Sequence, residues 1–489
     1  MKILVMGATG YIGGRLVPRL VEGGHEVRCL TRRPEKLCGV VWADAVEIVA
    51  GDVLDRSSLD AAMADIEVVY YLVHSIGSGS SFEESDRRAA RNTADAATAA
   101  GAGRIVYLGG LVPPGRVVSQ HLASRAEVGQ IFLDGPVPAV VLQAGVIIGS
   151  GSASFEMLRY LTERLPVMVT PKWVRSRVQA IAVRDVLSYL VASLDLTAGI
   201  NRRFDIGGPD VLTYREIMQR YAKVAGLRRR VIIAVPVLSP WLSSQWVNVI
   251  TPVPKAIAQP LIESLRNSVV AREHDIDALI PLELCGFDEA VRLALGRTHQ
   301  ADVSTRWSGA SWPGAPSDPM PTDPDWSGGT LYRDERTAPV DATAGAMWQA
   351  LEGIGGERGW YSFRLAWAVR GLLDRLVGGV GLRRGRRDPN HLIVGDVVDF
   401  WRVEALDRPT FLRLRAEMKL PGDAWLEFSI TDDDGHVALH QRALFIPHGL
   451  AGQLYWWAVR PFHNIVFGSM IANLAAAART QASPAVPSR

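Results

Sequence analysis

Short apolar runs and amphipathic stretches alternate along the first 150 residues of the chain. Runs at 3–6, 26–31, 46–50, 68–73, 104–108 and 139–144 are nearly continuous in apolar residues, the pattern of strands buried on both faces. Between them, 57–63 and 83–100 repeat apolar positions at helical spacing, and Gly23-Gly24 and Gly101-Ala102-Gly103 mark turns. This alternation predicts an α/β fold, a doubly wound parallel sheet with helices on both faces. From 150 to about 295 the pattern loosens into a smaller lobe. There 202–206 reads as a strand and Gly207-Gly208-Pro209 as a turn. Thr213 reads as the cap of a helix from Tyr214, with Glu216 completing a capping box.

Apolar patterning then lapses. Gly, Pro, Ser, Asp and Trp crowd 308–329, so 296–334 reads as a linker with Trp307, Trp312 and Trp326 as candidates to dock it. Regularity returns in 335–482, with a helix at 342–354 and β-like segments at 396–405, 411–420, 424–432 and 437–446. Pro421-Gly422-Asp423 and Asp433-Asp434-Gly435 supply hairpin turns, and a long helix follows over 450–479. One helix, an antiparallel sheet and a closing helix predict an α+β cup. Residues 483–489 read as a frayed, disordered tail.

Composition narrows the class. A chain of 489 residues with 48% hydrophobic and 21% charged content holds two or three globular domains, and a net charge of +2 argues against a nucleic-acid partner. Cys29, Cys38 and Cys285 form no metal-spaced cluster, so no metal site is expected and a reducing, cytoplasmic setting is. The chain opens directly on a strand, with no leader-like segment before it. The stretches 231–265 and 454–477 fall short of the roughly eighteen uncharged apolar residues of a spanning helix. They read as core or groove-lining helices. Peripheral contact with the inner face of a membrane is the alternative, raised by Trp456-Trp457 and the flanking Arg460.

The densest chemical signal is Gly7-Ala8-Thr9-Gly10-Tyr11-Ile12-Gly13, directly between the first apolar run and a helical pattern. Gly7 permits the sharp turn, Gly10 lets a pyrophosphate approach the main chain, and Gly13 lets the helix pack close to the sheet. A helix start there offers amide groups to phosphates. The second strand ends Cys29-Leu30-Thr31-Arg32-Arg33 without the acid that holds ribose hydroxyls in NAD sites. Two guanidiniums suit a 2′-phosphate, so NADP(H) is expected over NAD(H).

These glycines, with Gly51-Asp52-Val53, Ala144-Gly145-Val146-Ile147-Ile148-Gly149 and Gly207-Gly208-Pro209, resemble the atypical and extended short-chain dehydrogenase/reductase superfamily, a Rossmann fold. The resemblance is nearest the branch of NmrA-type proteins and the complex I accessory subunit, and covers the first 290 residues or so. It implies that Asp52 and Val53 border the adenine, that Leu72, Val73 and His74 lie beside the nicotinamide ribose, and that Gly109 and Ala144, Gly145 and Val146 close the cofactor site. The family's catalytic serine after the fifth strand is absent, because that strand runs into Gly109-Gly110. Its Tyr-x-x-x-Lys pair is replaced by His121 and Arg125. Two readings follow. In one, His121 is the acid/base and Arg125 grips the ribose. In the other, catalysis is lost and the domain only binds nucleotide.

Residues 335–480 resemble a bacterial domain of unknown function, the DUF2867 type, with a helix-grip outline similar to START and Bet v 1 relatives. Trp348, Trp360, Tyr361, Trp367, Trp401, Trp425, Tyr455, Trp456 and Trp457 line a cavity there, fill its core or dock the domain on the Rossmann lobe. The cluster Arg383-Arg384-Gly385-Arg386-Arg387 reads as an exposed loop, with a phosphate or membrane contact as the alternative. In the lobe, Trp173, Trp241, Trp246 and many aliphatics suit an apolar small-molecule substrate such as a quinone, polyketide or acyl compound. The expectation is an NADPH-dependent reductase of an apolar carbonyl or quinone-like substrate. The alternatives are a cofactor-binding sensor or assembly factor, and a lipid or isoprenoid carrier acting through the C-terminal domain.

Overall fold

The structure is a computed structural model that describes residues 1–37, 40–74, 82–112, 119–235, 251, 253, 261–263, 267–301, 330–355, 359–361, 388, 390–433 and 435–482. Cys38, Trp241, Trp246, Trp307, Trp312, Trp326, Trp367, the arginines of 383–387 and the tail 483–489 lie outside the described residues. The chain divides into two compact units, Met1–Gly329 and Thr330–Arg489.

Seven strands build the sheet of the first unit: β1 (Lys2–Met6), β2 (Glu26–Thr31), β3 (Glu47–Ala50), β4 (Val68–Tyr71), β5 (Arg104–Gly110), β6 (Ala139–Ala144) and β7 (Arg202–Ile206). Their order is β7-β6-β5-β4-β1-β2-β3, all parallel. The order reverses between β1 and β4, the switch point at which open α/β sheets bind ligands beyond their strand ends. Helices α1 (Tyr11–Glu22), α2 (Arg56–Ala62), α3 (Phe82–Ala99), α4 (Gln120–Leu133), α5 (Ala153–Arg164), α6 (Val183–Ala192), α7 (Tyr214–Val224) and α8 (Phe287–Ala301) follow in chain order. One core, including Ile3, Val5, Leu16, Tyr70, Val106 and Leu187, fills one side of the sheet. Another, including Leu4, Met6, Tyr71, Tyr107 and Phe132, fills the other. Strands buried on both sides need apolar residues at every position, which is why they read as continuous runs. The lobe has its own core around Phe155, Met168, Tyr214, Tyr221 and Val291.

The second unit is a six-stranded antiparallel sheet: β8 (Tyr332–Val340), β9 (Val397–Val398), β10 (Trp401–Asp407), β11 (Phe411–Ala416), β12 (Gly422–Asp433) and β13 (His436–Pro447). The order is β8-β13-β12-β11-β10-β9. Helices α9 (Ala344–Glu352) and α10 (Gly449–Ala482) complete it. Met347, Trp348, Phe400, Trp401, Phe428, Met470 and Leu474 share one core between helices and sheet. Two boundaries move from the sequence reading. Strand β8 opens at Tyr332, inside the stretch read as linker, and α8 runs to Ala301, past the expected end of the first domain at 295. Among the described residues, no helix is long and apolar enough to cross a membrane.

Candidate functional site

The site starts at the turn between β1 and α1. Gly7 takes φ +92°, and a β-carbon there would stand 2.7 Å from the Leu72 carbonyl oxygen. A β-carbon on Gly13 would stand 2.2 Å from the Gly7 carbonyl oxygen. Both positions therefore exclude a side chain, and the helix start closes against the turn and against the end of β4. Gly10 caps α1 without any side-chain hydrogen bond, and no acid occupies the first turn. The positive end of the helix dipole is left without a neutralising carboxylate of its own, as an anion site requires.

Beyond this helix start lies a cavity of about 360 Å³. It gathers Gly10, Tyr11, Ile12 and Gly13 from the turn with Leu72 and His74 after β4. Gly109 and Gly110 of β5, Ala144, Gly145 and Val146 at the end of β6, and His121 and Arg125 of α4 complete that side. The opposite wall comes from the lobe: Met157, Leu158 and Leu161 of α5, Trp173, and Tyr214, Ile217 and Met218 of α7. Trp173 meets Tyr214 edge-on, with ring centroids 5.7 Å apart. The α5 and α7 residues were not singled out in the sequence. Their only signal there is the helical spacing of an apolar face, which core packing also produces.

The remaining expected cofactor residues stand outside that lining. Thr9 is half-buried in the turn. Asp52 accepts from the Leu54 amide at 3.0 Å and thereby holds its own turn. Val53 and Val73 pack against the sheet core. Arg32 and Arg33 are exposed directly after β2, where the Thr31 hydroxyl accepts from the Arg33 amide at 3.2 Å.

Helix α4 positions the polar pair. Ser119 caps it by accepting from the Leu122 amide at 3.4 Å, and His121 and Arg125 sit one turn apart on one face. Arg125 donates to the Leu108 carbonyl and stacks over the Tyr107 ring at 5.5 Å. Next to it, the Ser124 hydroxyl donates to the buried Asp86 at 3.0 Å and ties α4 to α3. The glycines where the family carries serine have a packing reason here. A β-carbon at Gly110 would come within 3.1 Å of Leu122, and one at Gly109 within 3.1 Å of Tyr107.

Electrostatics bear on the protonation of the two histidines. Burial pushes the His121 pKa down to about 3, assisted by the positive Arg125 and by His74. His74 is exposed and lines the cavity. Lost hydration and then Arg125 push it down to about 4, against the opposing pull of Asp86. Both rings are neutral near pH 7, so His121 is not a ready imidazolium acid in the free protein. A neutral imidazole still donates one N–H hydrogen bond.

Comparison with known proteins agrees with this geometry. An NAD(P)H-binding family matches 7–124, and a protein family of unknown function (DUF2867) matches 326–470. The (4-alkanoyl-5-oxo-2,5-dihydrofuran-3-yl)methyl phosphate reductase of Streptomyces griseus is 29% identical over 231 residues, 46% of this chain and 74% of that protein. The ceramide reductase of Caulobacter vibrioides is 30% identical over 234 residues, 47% of this chain and 72% of that protein. Among solved structures, the triphenylmethane reductase of a Citrobacter species shares the fold, with a TM-score of 0.50 at 21% identity over 60% of this chain and all of that one.

Proposed function

The chain belongs to the NAD(P)H-binding reductases of the short-chain dehydrogenase/reductase type, and from that premise we propose that it is an NADPH-dependent reductase of a carbonyl compound carrying an acyl chain. The observation that carries this reading is a cavity in which a helix start suited to phosphates, the strand ends of the switch point and an apolar lobe wall meet. The names of two relatives, the reductases of an alkanoyl compound and of a ceramide, point to the same chemical class.

A bound nicotinamide dinucleotide supplies the hydride. The chain's own residues bind and polarise. The α1 start holds the paired phosphates, and Arg32 and Arg33 supply the 2′-phosphate site. His121 donates a hydrogen bond to the substrate carbonyl oxygen from its neutral ring, replacing the acid role expected from the sequence. Arg125, fixed by the Leu108 carbonyl, stabilises the negative charge that develops on that oxygen, and the resulting alkoxide takes its proton from solvent as the product leaves. Met157, Leu161, Ile217 and Met218 receive the chain and exclude water.

The neutral state of both histidines favours one second reading, a nucleotide-binding sensor or assembly factor without turnover. Titration with NADPH and NADH, followed by NADPH oxidation with a panel of acyl ketones and quinones, separates the two. Binding without turnover on any member would support the sensor. For the cofactor, Arg32→Ala/Arg33→Ala is expected to weaken NADPH by about 10- to 100-fold, the worth of hydrogen bonds to charged groups, and to leave NADH unchanged. Equal affinity of the native protein for both cofactors would overturn the preference.

A further inference from the structure

Helix α10 carries two apolar faces, and among the described residues of the second unit only one of them is covered. Phe467, Met470, Ile471 and Leu474 point into the core of the second unit. On the other side Leu450, Leu454, Trp457, Phe462 and Ile465 face solvent, the last four exposed by 62%, 55%, 63% and 62%. At 3.6 residues per turn these five fall in one sector about 140° wide. Ala451, Ala458 and Pro461 are also exposed and fall within that sector, so no polar side chain interrupts it. Gln453, Arg460 and Asn464 border one side. The result is a continuous apolar strip along about four turns. A helix apolar on all sides is ordinarily buried on all sides, so the strip calls for a covering.

The charges indicate which covering. No aspartate or glutamate occurs anywhere from Gly449 to Ala482. Arg460 lies at the edge of the strip, its guanidinium stacked 5.1 Å over the exposed Trp457 ring. An exposed tryptophan beside an arginine, on a helix with aliphatic neighbours and no acid, matches the apolar layer and anionic headgroups of a membrane interface. A second copy would instead present the same cationic, acid-free face to this one. We propose that the strip Leu450–Ile465 of α10 lies in the plane of an anionic lipid surface and holds the protein on it. This contact does not depend on the reductase reading.

Flotation of the full-length protein with vesicles tests it. With equal parts phosphatidylcholine and phosphatidylglycerol, the protein is expected to float with the lipid. With phosphatidylcholine alone, binding is expected to fall about fivefold, the contribution of one interfacial arginine. Leu454→Glu/Phe462→Glu, both at exposed positions, is expected to lower binding about a hundredfold with the circular dichroism spectrum unchanged. Should that variant lose its fold, Trp457 provides a second readout. Brominated acyl chains are expected to quench part of the native tryptophan emission, and Trp457→Phe to remove that part. Native protein that stays with the unfloated fraction would overturn the proposal. So would a charged variant that floats as well as the native chain, or a dimer that the same variant splits while no lipid binds.

Discussion

His121 shows how one side chain takes its state from its neighbours. In the unfolded chain its imidazole gains a proton as pH falls below its ordinary value of 6.5, whereas in the folded protein the buried ring stays neutral until about 3. Between those values the unfolded state binds the extra proton, so stability falls as pH falls, and it is fully retained above 6.5. At about 1.4 kcal/mol per pH unit, acidification from pH 6.5 to 5 is expected to cost about 2 kcal/mol through this residue alone. Urea unfolding at the two pH values, compared between the native chain and His121→Phe, measures it. A variant with the same loss on acidification would show that the ring is not held neutral. The placing of His121 and Arg125 on one face of a helix is legible in the sequence as a pair one turn apart. The charge state of His121 is not, because it depends on burial by α4 against β5 and on where the Arg125 guanidinium rests.

At the scale of elements, the β1–α1 turn has no room for added side chains. In Gly13→Ala the new methyl would sit 2.2 Å from the Gly7 carbonyl oxygen, 2.8 Å from its carbon and 3.0 Å from the Ala8 α-carbon, all backbone. The helix must withdraw, at a cost of at least about 1–3 kcal/mol. NADPH affinity is expected to fall more than tenfold while far-ultraviolet dichroism is kept; unchanged affinity in a calorimetric titration would remove the turn from the phosphate site. At the start of α7, Thr213 accepts from the Glu216 amide at 3.2 Å and Glu216 accepts from the Thr213 amide at 2.7 Å. Thr213→Ala is expected to cost about 1 kcal/mol in thermal unfolding of the first unit, and an unchanged midpoint would show the cap to be idle. This box, and most strands of the parallel sheet, could be read from the sequence because the signals are local. The apolar run predicts β4 to Val73, two residues beyond its end at Tyr71. The chain leaves the ladder after Tyr71, where the Leu72 amide donates to the Met6 carbonyl at the lip of the cavity. Strand β8 was missed for a different reason. Tyr-Arg-Asp-Glu-Arg-Thr-Ala-Pro-Val alternates half-buried and exposed positions along an edge, where charged residues and proline are tolerated and the apolar signal is thin. The lobe wall of the cavity was hidden because α5 and α7 present the same apolar spacing to substrate as to core.

In the whole molecule, the described cores of the two units share no residue. Separate cores unfold as separate cooperative transitions. Every residue assigned to the cofactor site belongs to Met1–Gly329, so a ligand bound there stabilises that unit through mass action. NADPH at a hundred times its dissociation constant adds about 2.7 kcal/mol to that unit. For a unit of this size the gain corresponds to about 5 °C in its midpoint. Scanning calorimetry of the full chain is therefore expected to show one transition that rises with NADPH and one that stays in place. If Arg32 and Arg33 hold the 2′-phosphate as proposed, the Arg32→Ala/Arg33→Ala variant is expected to need about ten times more NADPH for the same rise, because both are exposed and belong to neither core. If both transitions rose together, the cofactor would have to touch Thr330–Arg489 as well. If neither rose while the protein stayed folded, the helix start of α1 would hold no dinucleotide, and the cavity would need another ligand.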